Sequence, residues 1–158
     1  MEDFGQKLQK IRQKANHQRR QRKAEEQAQA QRDREQGRRV DEAAAGIEAH
    51  VEHRLREFME QFVEFRFNAH VDKGRHLRVV WDDPAEGRSR LHQLSFSVRR
   101  YHEYADVEVE VKMIIANAEK HRRLGEEDVF EGNPDNLKDF IDQQIYRFTQ
   151  LYVEGRGW

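Results

Sequence analysis

Residues 17 to 39, HQRRQRKAEEQAQAQRDREQGRR, contain no aromatic and no branched aliphatic side chain. A stretch of that length with nothing to bury takes no part in a hydrophobic core, so the core must come from the residues around it. The chain as a whole is 36% hydrophobic and 37% charged, against globular averages of roughly 45–50% and 25%. Its 158 residues suffice for one domain with a real core. Charge divides where the apolar residues begin. Residues 1–39 hold 12 Lys and Arg against 6 Asp and Glu, a net of +6; the chain totals of 29 and 30 leave 17 against 24 in residues 40–158, a net of −7. Division into a basic, polar arm, 1–39, and a single acidic domain, 40–158, is the expected organisation.

Within the arm, Phe4, Leu8, Ile11 and Ala15 recur at spacings of 4, 3 and 4, which lines them along one narrow stripe of a helix. The same phase continued leads to Gln18, Arg22, Glu25, Gln29 and Arg32, which no ordinary coiled-coil seam buries. The stripe therefore ends near residue 15. Ala, Gln, Arg, Lys and Glu beyond it still favour helix, but a helix polar all round is either a solvated spacer or unstable by itself, so a helical arm and a partly disordered tail both fit. If helical, residues 17–39 span ~35 Å at about 1.5 Å per residue. Gly37 is the expected break before the next element.

From Val40 the pattern changes. Val40, Ala44, Ile47, Val51, Leu55, Phe58, Phe62 and Phe65 recur at helical spacing, widened by Met59, Val63 and Phe67, and predict one long helix with Asp41 and Glu42 near its start. VDKGRH, with Gly74, reads as a turn. Three half-buried strands follow, in which Leu77, Val79 and Trp81, then Leu94, Phe96 and Val98, then Val107, Val109, Val111 and Met113 alternate with polar residues. A four-residue loop HEYA between Tyr101 and Asp106 sets the register: Val98 opposes Val109, Phe96 opposes Val111, Leu94 opposes Met113, and Arg99 opposes Glu108. Each such pair is worth a few tenths to ~1 kcal/mol. A short fourth strand is expected near Val129 and Phe130. Asn133 and Pro134 then make a helix start as N-cap and N1, Leu137, Ile141, Ile145, Phe148 and Tyr152 mark the buried face, and Gly155 ends it. The fold class expected is α+β: a long N-terminal helix, a three- to four-stranded antiparallel meander with one wet face, and a C-terminal helix packed on the apolar face.

Chemical motifs are sparse. There is no cysteine, no Gly-rich phosphate loop, no G-x-S-x-G and no His-Glu-x-x-His. His50 and His53 share a helical face and are the nearest approach to a metal pair, but no third ligand sits at a diagnostic spacing, and a solvated helix face accounts for them better. Asp82, Asp83 and Glu86 fit turn chemistry better than a cation loop. Tyr101, His102 and Tyr104 cluster at a hairpin tip, as a contact site or as local packing. No catalytic residue, metal site or cofactor is therefore expected. No apolar run reaches the roughly 18 residues a spanning helix needs, so a cytoplasmic protein without membrane association is expected.

The function expected is that of a non-enzymatic interaction or adaptor protein, homo-oligomeric, whose arm engages a protein partner or a further copy through Phe4, Leu8 and Ile11. Val80 and Ile114 on the polar sheet face, and the apolar excess at Met59, Val63 and Phe67, point to oligomerisation. The alternative is a nucleic-acid-associated accessory protein in which Arg19, Arg20, Arg22, Lys23, Arg38 and Arg39 hold phosphates. Against it stand the interspersed acids Glu25, Glu26, Asp33 and Glu35, the lack of interleaved aromatics for base stacking, and the acidic domain.

Overall fold

The structure, a computed structural model, describes residues 1, 3–71, 75–84, 87–128 and 134–155, with the backbone alone for 120–128 and 134. Two compact units divide the chain, residues 1–36 and residues 37–158. A single helix, α1, runs from Phe4 to Gln61 and belongs to both.

The first unit starts with a defined cap. The backbone N–H of Gln6 donates to Asp3 Oδ1 at 2.7 Å, and the Asp3 N–H donates to Gln6 Oε1 at 3.3 Å. This reciprocal pair is a capping box, which satisfies two of the amide donors that a helix start leaves open. Downstream the helix rests on side-chain propensity and local pairs, such as Arg32 to Gln29 at 2.7 Å and Gln29 to Asp33 at 2.8 Å.

The expected break at Gly37 is absent: α1 passes through it. A helical glycine costs only about 1 kcal/mol relative to alanine. Burial of Val40, Ala44 and Ile47 just beyond it outweighs that cost, at roughly 1.5–3 kcal/mol for each fully buried branched side chain. The apolar stripe of α1 continues through Val51, Leu55 and Phe58, all buried.

The helix ends at Gln61, earlier than its periodicity suggests. Phe62 closes the last turn, its N–H bonding Phe58 O at 3.0 Å, and Phe65 N–H bonds Phe62 O at 3.2 Å. Phe65 is buried at this corner, and the chain then enters strand β1, Arg66–Val71. Phe58, Phe62 and Phe65 fit a helical period while Phe65, Phe67, Ala69 and Val71 fit a strand period, so the two patterns share a residue and hide the boundary.

Five antiparallel strands form one sheet in sequence order: β1, then β2 (Arg75–Asp83), β3 (Arg90–Tyr101), β4 (Asp106–Ile115) and β5 (Ala118–Asp128). The central register is the one expected, with Val98 opposite Val109, Phe96 opposite Val111, Leu94 opposite Met113 and Arg99 opposite Glu108. The HEYA loop holds a single 3-10 turn, His102–Tyr104, followed by Ala105 in the left-handed region. β5 lies ahead of the fourth strand expected near Val129 and Phe130, which fall outside the described residues together with Asn133 and the VDKGRH positions 72–74. Ala116 and Asn117, with φ of 49° and 70°, make the two-residue connection from β4, a backbone shape matched to the twist of a hairpin.

The apolar face presents Leu77, Val79, Leu94, Phe96, Val98, Val107, Val109, Val111, Met113 and Ile115. The C-terminal helix α2, Pro134–Glu154, adds Leu137, Ile141, Ile145 and Phe148 to the same core as the second half of α1. Gly155 ends α2 with φ of 64°, a left-handed conformation that suits a residue lacking Cβ. On the other sheet face, Arg99 pairs with Glu110 at 3.4 Å, Lys112 with Glu119 at 3.2 Å, and Ser97 Oγ with His76 Nδ1 at 2.6 Å.

Candidate protein-interaction site

The capping box fixes where α1 begins, and with it the face on which its first apolar residues stand. Phe4, Leu8 and Ile11 are 78%, 51% and 66% exposed. At i, i+4 and i+7 they lie on one side of the helix, with Lys7 and Lys14 along one flank of the stripe and Arg12 along the other. Large apolar side chains in water leave about 25 cal/mol per Å² unrealised, so a continuous exposed stripe favours a covering partner. Arg19, Arg20, Arg22 and Lys23 are also exposed on this unit, whereas Arg38 and Arg39 fall in the second unit and Arg38 pairs with Glu42 at 2.6 Å.

A cleft of about 220 Å³ opens in the second unit, where the end of α1 meets α2. Phe58, Phe62 and Ile145 form its apolar part, and Arg54, Glu57, Gln61, Asp142, Tyr146 and Thr149 complete it. One wall is a charged cluster. Arg54 donates to Asp142 through Nε at 3.1 Å and Nη2 at 3.4 Å, a two-pronged pairing, and through Nη1 to Glu57 at 3.0 Å. The bonds to Glu57 and then to Asp142 raise the guanidinium pKa further above its ordinary value. His50 Nε2 lies 2.9 Å from Asp142 Oδ1, while His53 Nε2 lies 2.7 Å from Glu57 Oε1. The two histidines therefore have separate carboxylate partners and do not converge, and no group of three or more potential ligands suited to a metal ion occurs among the described residues. Tyr146 stands 67% exposed at the rim.

Next to the cleft lies an aromatic cluster. Phe65 packs edge-on against Phe58 at 5.0 Å and Tyr152 at 5.2 Å, and Phe148 closes the group at 5.9 Å from Phe58. The Tyr152 hydroxyl donates to Glu64 Oε1 at 2.5 Å; burial, then this bond to a carboxylate, holds its pKa well above that of an ordinary phenol. His92 stacks on Trp81 at 5.5 Å, and its Nδ1 accepts the backbone N–H of Ala116 at 3.2 Å. Burial lowers the His92 pKa, partly opposed by Asp83 at 3.9 Å and reinforced by Arg90. A ring nitrogen that accepts from an amide carries no proton itself, so this hydrogen bond belongs to the neutral imidazole.

The remaining sequence candidates are built into the fold. Asp83 faces His92, and Glu86 lies outside the described residues. His102 Nε2 lies 2.8 Å from Asp41 Oδ1, joining the β3–β4 hairpin tip to α1, while Tyr104 is exposed beside it. Of the residues pointing to oligomerisation, Ile114 is buried, Val80 and Met59 are half-buried, and Phe67 sits under the Arg56 guanidinium at 4.9 Å; only Val63 is exposed. A site the sequence does not announce is Glu48, buried and yet charged, held by Arg100 at 3.1 Å and Arg75 at 3.7 Å. Its position one residue past Ile47, beside the apolar stripe of α1, was the available signal.

No helix among the described residues is long and apolar enough to cross a membrane. No protein family matches the chain, and neither a curated protein nor a solved structure is similar to it.

Proposed function

We propose that this is a non-enzymatic interaction protein that self-associates and engages a protein partner through its N-terminal helix. The observation that carries the reading is the exposed stripe of Phe4, Leu8 and Ile11 on a helix whose first turn is capped by Asp3 and Gln6. A capped helix holds its three anchors in fixed relative positions before any partner arrives, which lowers the ordering cost of docking. None of the three contributes to the core, all of which comes from Val40 onward, so folding gives no reason for them.

The test replaces Phe4, Leu8 and Ile11 together by glutamine in the full chain, which keeps helix propensity. Association with itself and capture of partner protein, measured side by side with wild type, are both expected to be lost while near-UV circular dichroism stays unchanged. Unaltered association and capture would refute the reading. A second reading, phosphate binding, is favoured by the exposed Arg19, Arg20, Arg22 and Lys23 within five residues. Absence of binding to duplex and single-stranded nucleic acid at low salt, where counterion release most favours it, would remove that alternative.

A further inference from the structure

We infer that the stripe of one copy docks in the α1–α2 cleft of a second copy, Phe4 serving as the anchor that enters it. The inference rests on the reading of the stripe as a docking surface and names what it docks on. Three observations lead there. The cleft joins an apolar floor of Phe58, Phe62 and Ile145 to a wall whose charged side chains, Arg54, Glu57 and Asp142, are already bonded to one another rather than held ready for a polar small molecule. At about 220 Å³ it is smaller than the roughly 300–1,000 Å³ of typical small-molecule sites, and its size suits one or two inserted side chains. Charge then selects the occupant. Around the cleft, Glu57 and Asp142 outnumber Arg54, and the stripe arrives flanked by Lys7, Lys14 and Arg12. The same opposition holds over the whole chain, +6 in residues 1–39 against −7 in the remainder, so two copies attract when the arm of one meets the domain of the other and repel when like meets like. Pairing of stripe with stripe in parallel helices would bring the basic arms together, which the same argument disfavours.

This contact is heterologous, since the surface that docks differs from the surface that receives, and it closes on itself if two copies exchange arms. Two variants separate its halves. Phe4→Ala removes the anchor and leaves the cleft intact. Tyr146→Arg, at a residue 67% exposed on the rim, places a cation where the stripe's cations arrive and leaves the stripe intact. Sedimentation velocity and light scattering on the full chain should show that wild type self-associates and that each variant alone does so at least about thirtyfold more weakly, the loss typical of a truncated hot-spot anchor. Mixing the two variants should restore a 1:1 complex, because each mixed pair retains one stripe and one cleft that are both unaltered. A wild-type chain that stays monomeric at high micromolar concentration would overturn the inference, and so would association weakened by Phe4→Ala but indifferent to Tyr146→Arg. A monomeric wild type also ends the self-association half of the proposed function and leaves only partner capture through the stripe, whereas indifference to Tyr146→Arg leaves the proposed function whole and removes the cleft alone. If Phe4→Ala and the triple glutamine variant alter neither self-association nor capture, both readings fall together.

Discussion

Glu48 offers a direct test of how this fold tolerates charge inside its core. Its side chain is only 7% exposed, lies between Ile47 and Val51 on α1, and meets Arg100 Nη2 at 3.1 Å and Arg75 Nη1 at 3.7 Å. Each guanidinium is about a third exposed and has a second carboxylate: Asp41 for Arg100 at 3.6 Å and Glu52 for Arg75 at 3.2 Å. The burden is therefore unequal. Loss of Glu48 leaves two solvated cations that keep other partners, whereas loss of Arg100 leaves a buried carboxylate with one distant cation. Arg100→Met should cost about 2–3 kcal/mol, below the 3–5 kcal/mol of a fully buried broken pair because water reaches the arginine side. Glu48→Gln should cost about 1 kcal/mol or less. Since the double variant has no buried charge to strand, it should be more stable than Arg100→Met alone, with a coupling of ~1–2 kcal/mol. Urea unfolding at 25 °C and neutral pH measures all four corners of this cycle. Simple additivity, or a double variant less stable than Arg100→Met, would refute the claim that the buried carboxylate requires Arg100.

Three further outcomes are expected. Phe148→Ala, at a fully buried ring between Phe58, Phe65 and Tyr152, should lose about 3–5 kcal/mol of unfolding free energy, since so enclosed a site has little room to collapse. Gly46→Ala should gain about 0.5–1 kcal/mol, as the added methyl on α1 meets nothing within 4 Å and the unfolded chain loses freedom; an unchanged urea midpoint would count against it. His92 should make stability fall with acid: the unfolded imidazole takes up a proton near pH 6.5 and the native one only at lower pH, so its contribution is complete above about 6.5 and declines as pH drops below that value. His92→Gln should flatten the difference between urea midpoints at pH 7.5 and 5.5, a span of about two units around that pKa.

The three middle strands were legible because alternation and loop length constrain each other. Shifting Val98 by one residue against Val109 would have turned every apolar residue of one strand towards water, so a single register satisfied both. The outer strands lacked that redundancy. β1 was absorbed into the α1 pattern through Phe65, which serves either period. β5, with the sequence AEKHRRLGEED, contains a single branched aliphatic residue, and an edge strand joined by backbone hydrogen bonds needs no apolar alternation. Its connection uses Ala116 and Asn117 in left-handed geometry, where a hairpin of this type usually signals itself with glycine. The stripe of Phe4, Leu8 and Ile11 could be seen from spacing alone. The cleft could not, because it depends on which faces of α1 and α2 meet: Asp142 finds His50 and Arg54 across 92 and 88 residues of sequence.

The separation of apolar residues along this chain has an energetic consequence for function. Among the described residues the core lies at Val40 or beyond, so stability and the proposed docking draw on different side chains. In many proteins an interface borrows from the core, and a substitution that weakens binding also unfolds part of the molecule. Here a glutamine at Phe4, Leu8 or Ile11 removes exposed apolar surface without creating a cavity, so its effect on unfolding, measured at a concentration too low for self-association, should be within the ±0.5 kcal/mol usual for surface changes. The cleft lacks that independence at its floor, where Phe58 and Ile145 are core residues, but has it at its rim, where Tyr146 stands in solvent. The proposed association can therefore be weakened at the stripe and the rim without loss of the fold. For the same reason, a stripe or rim substitution that lowered the unfolding free energy of the dissociated chain by more than about 1 kcal/mol would mean that these residues support the folded domain, and would count against their role as a docking surface.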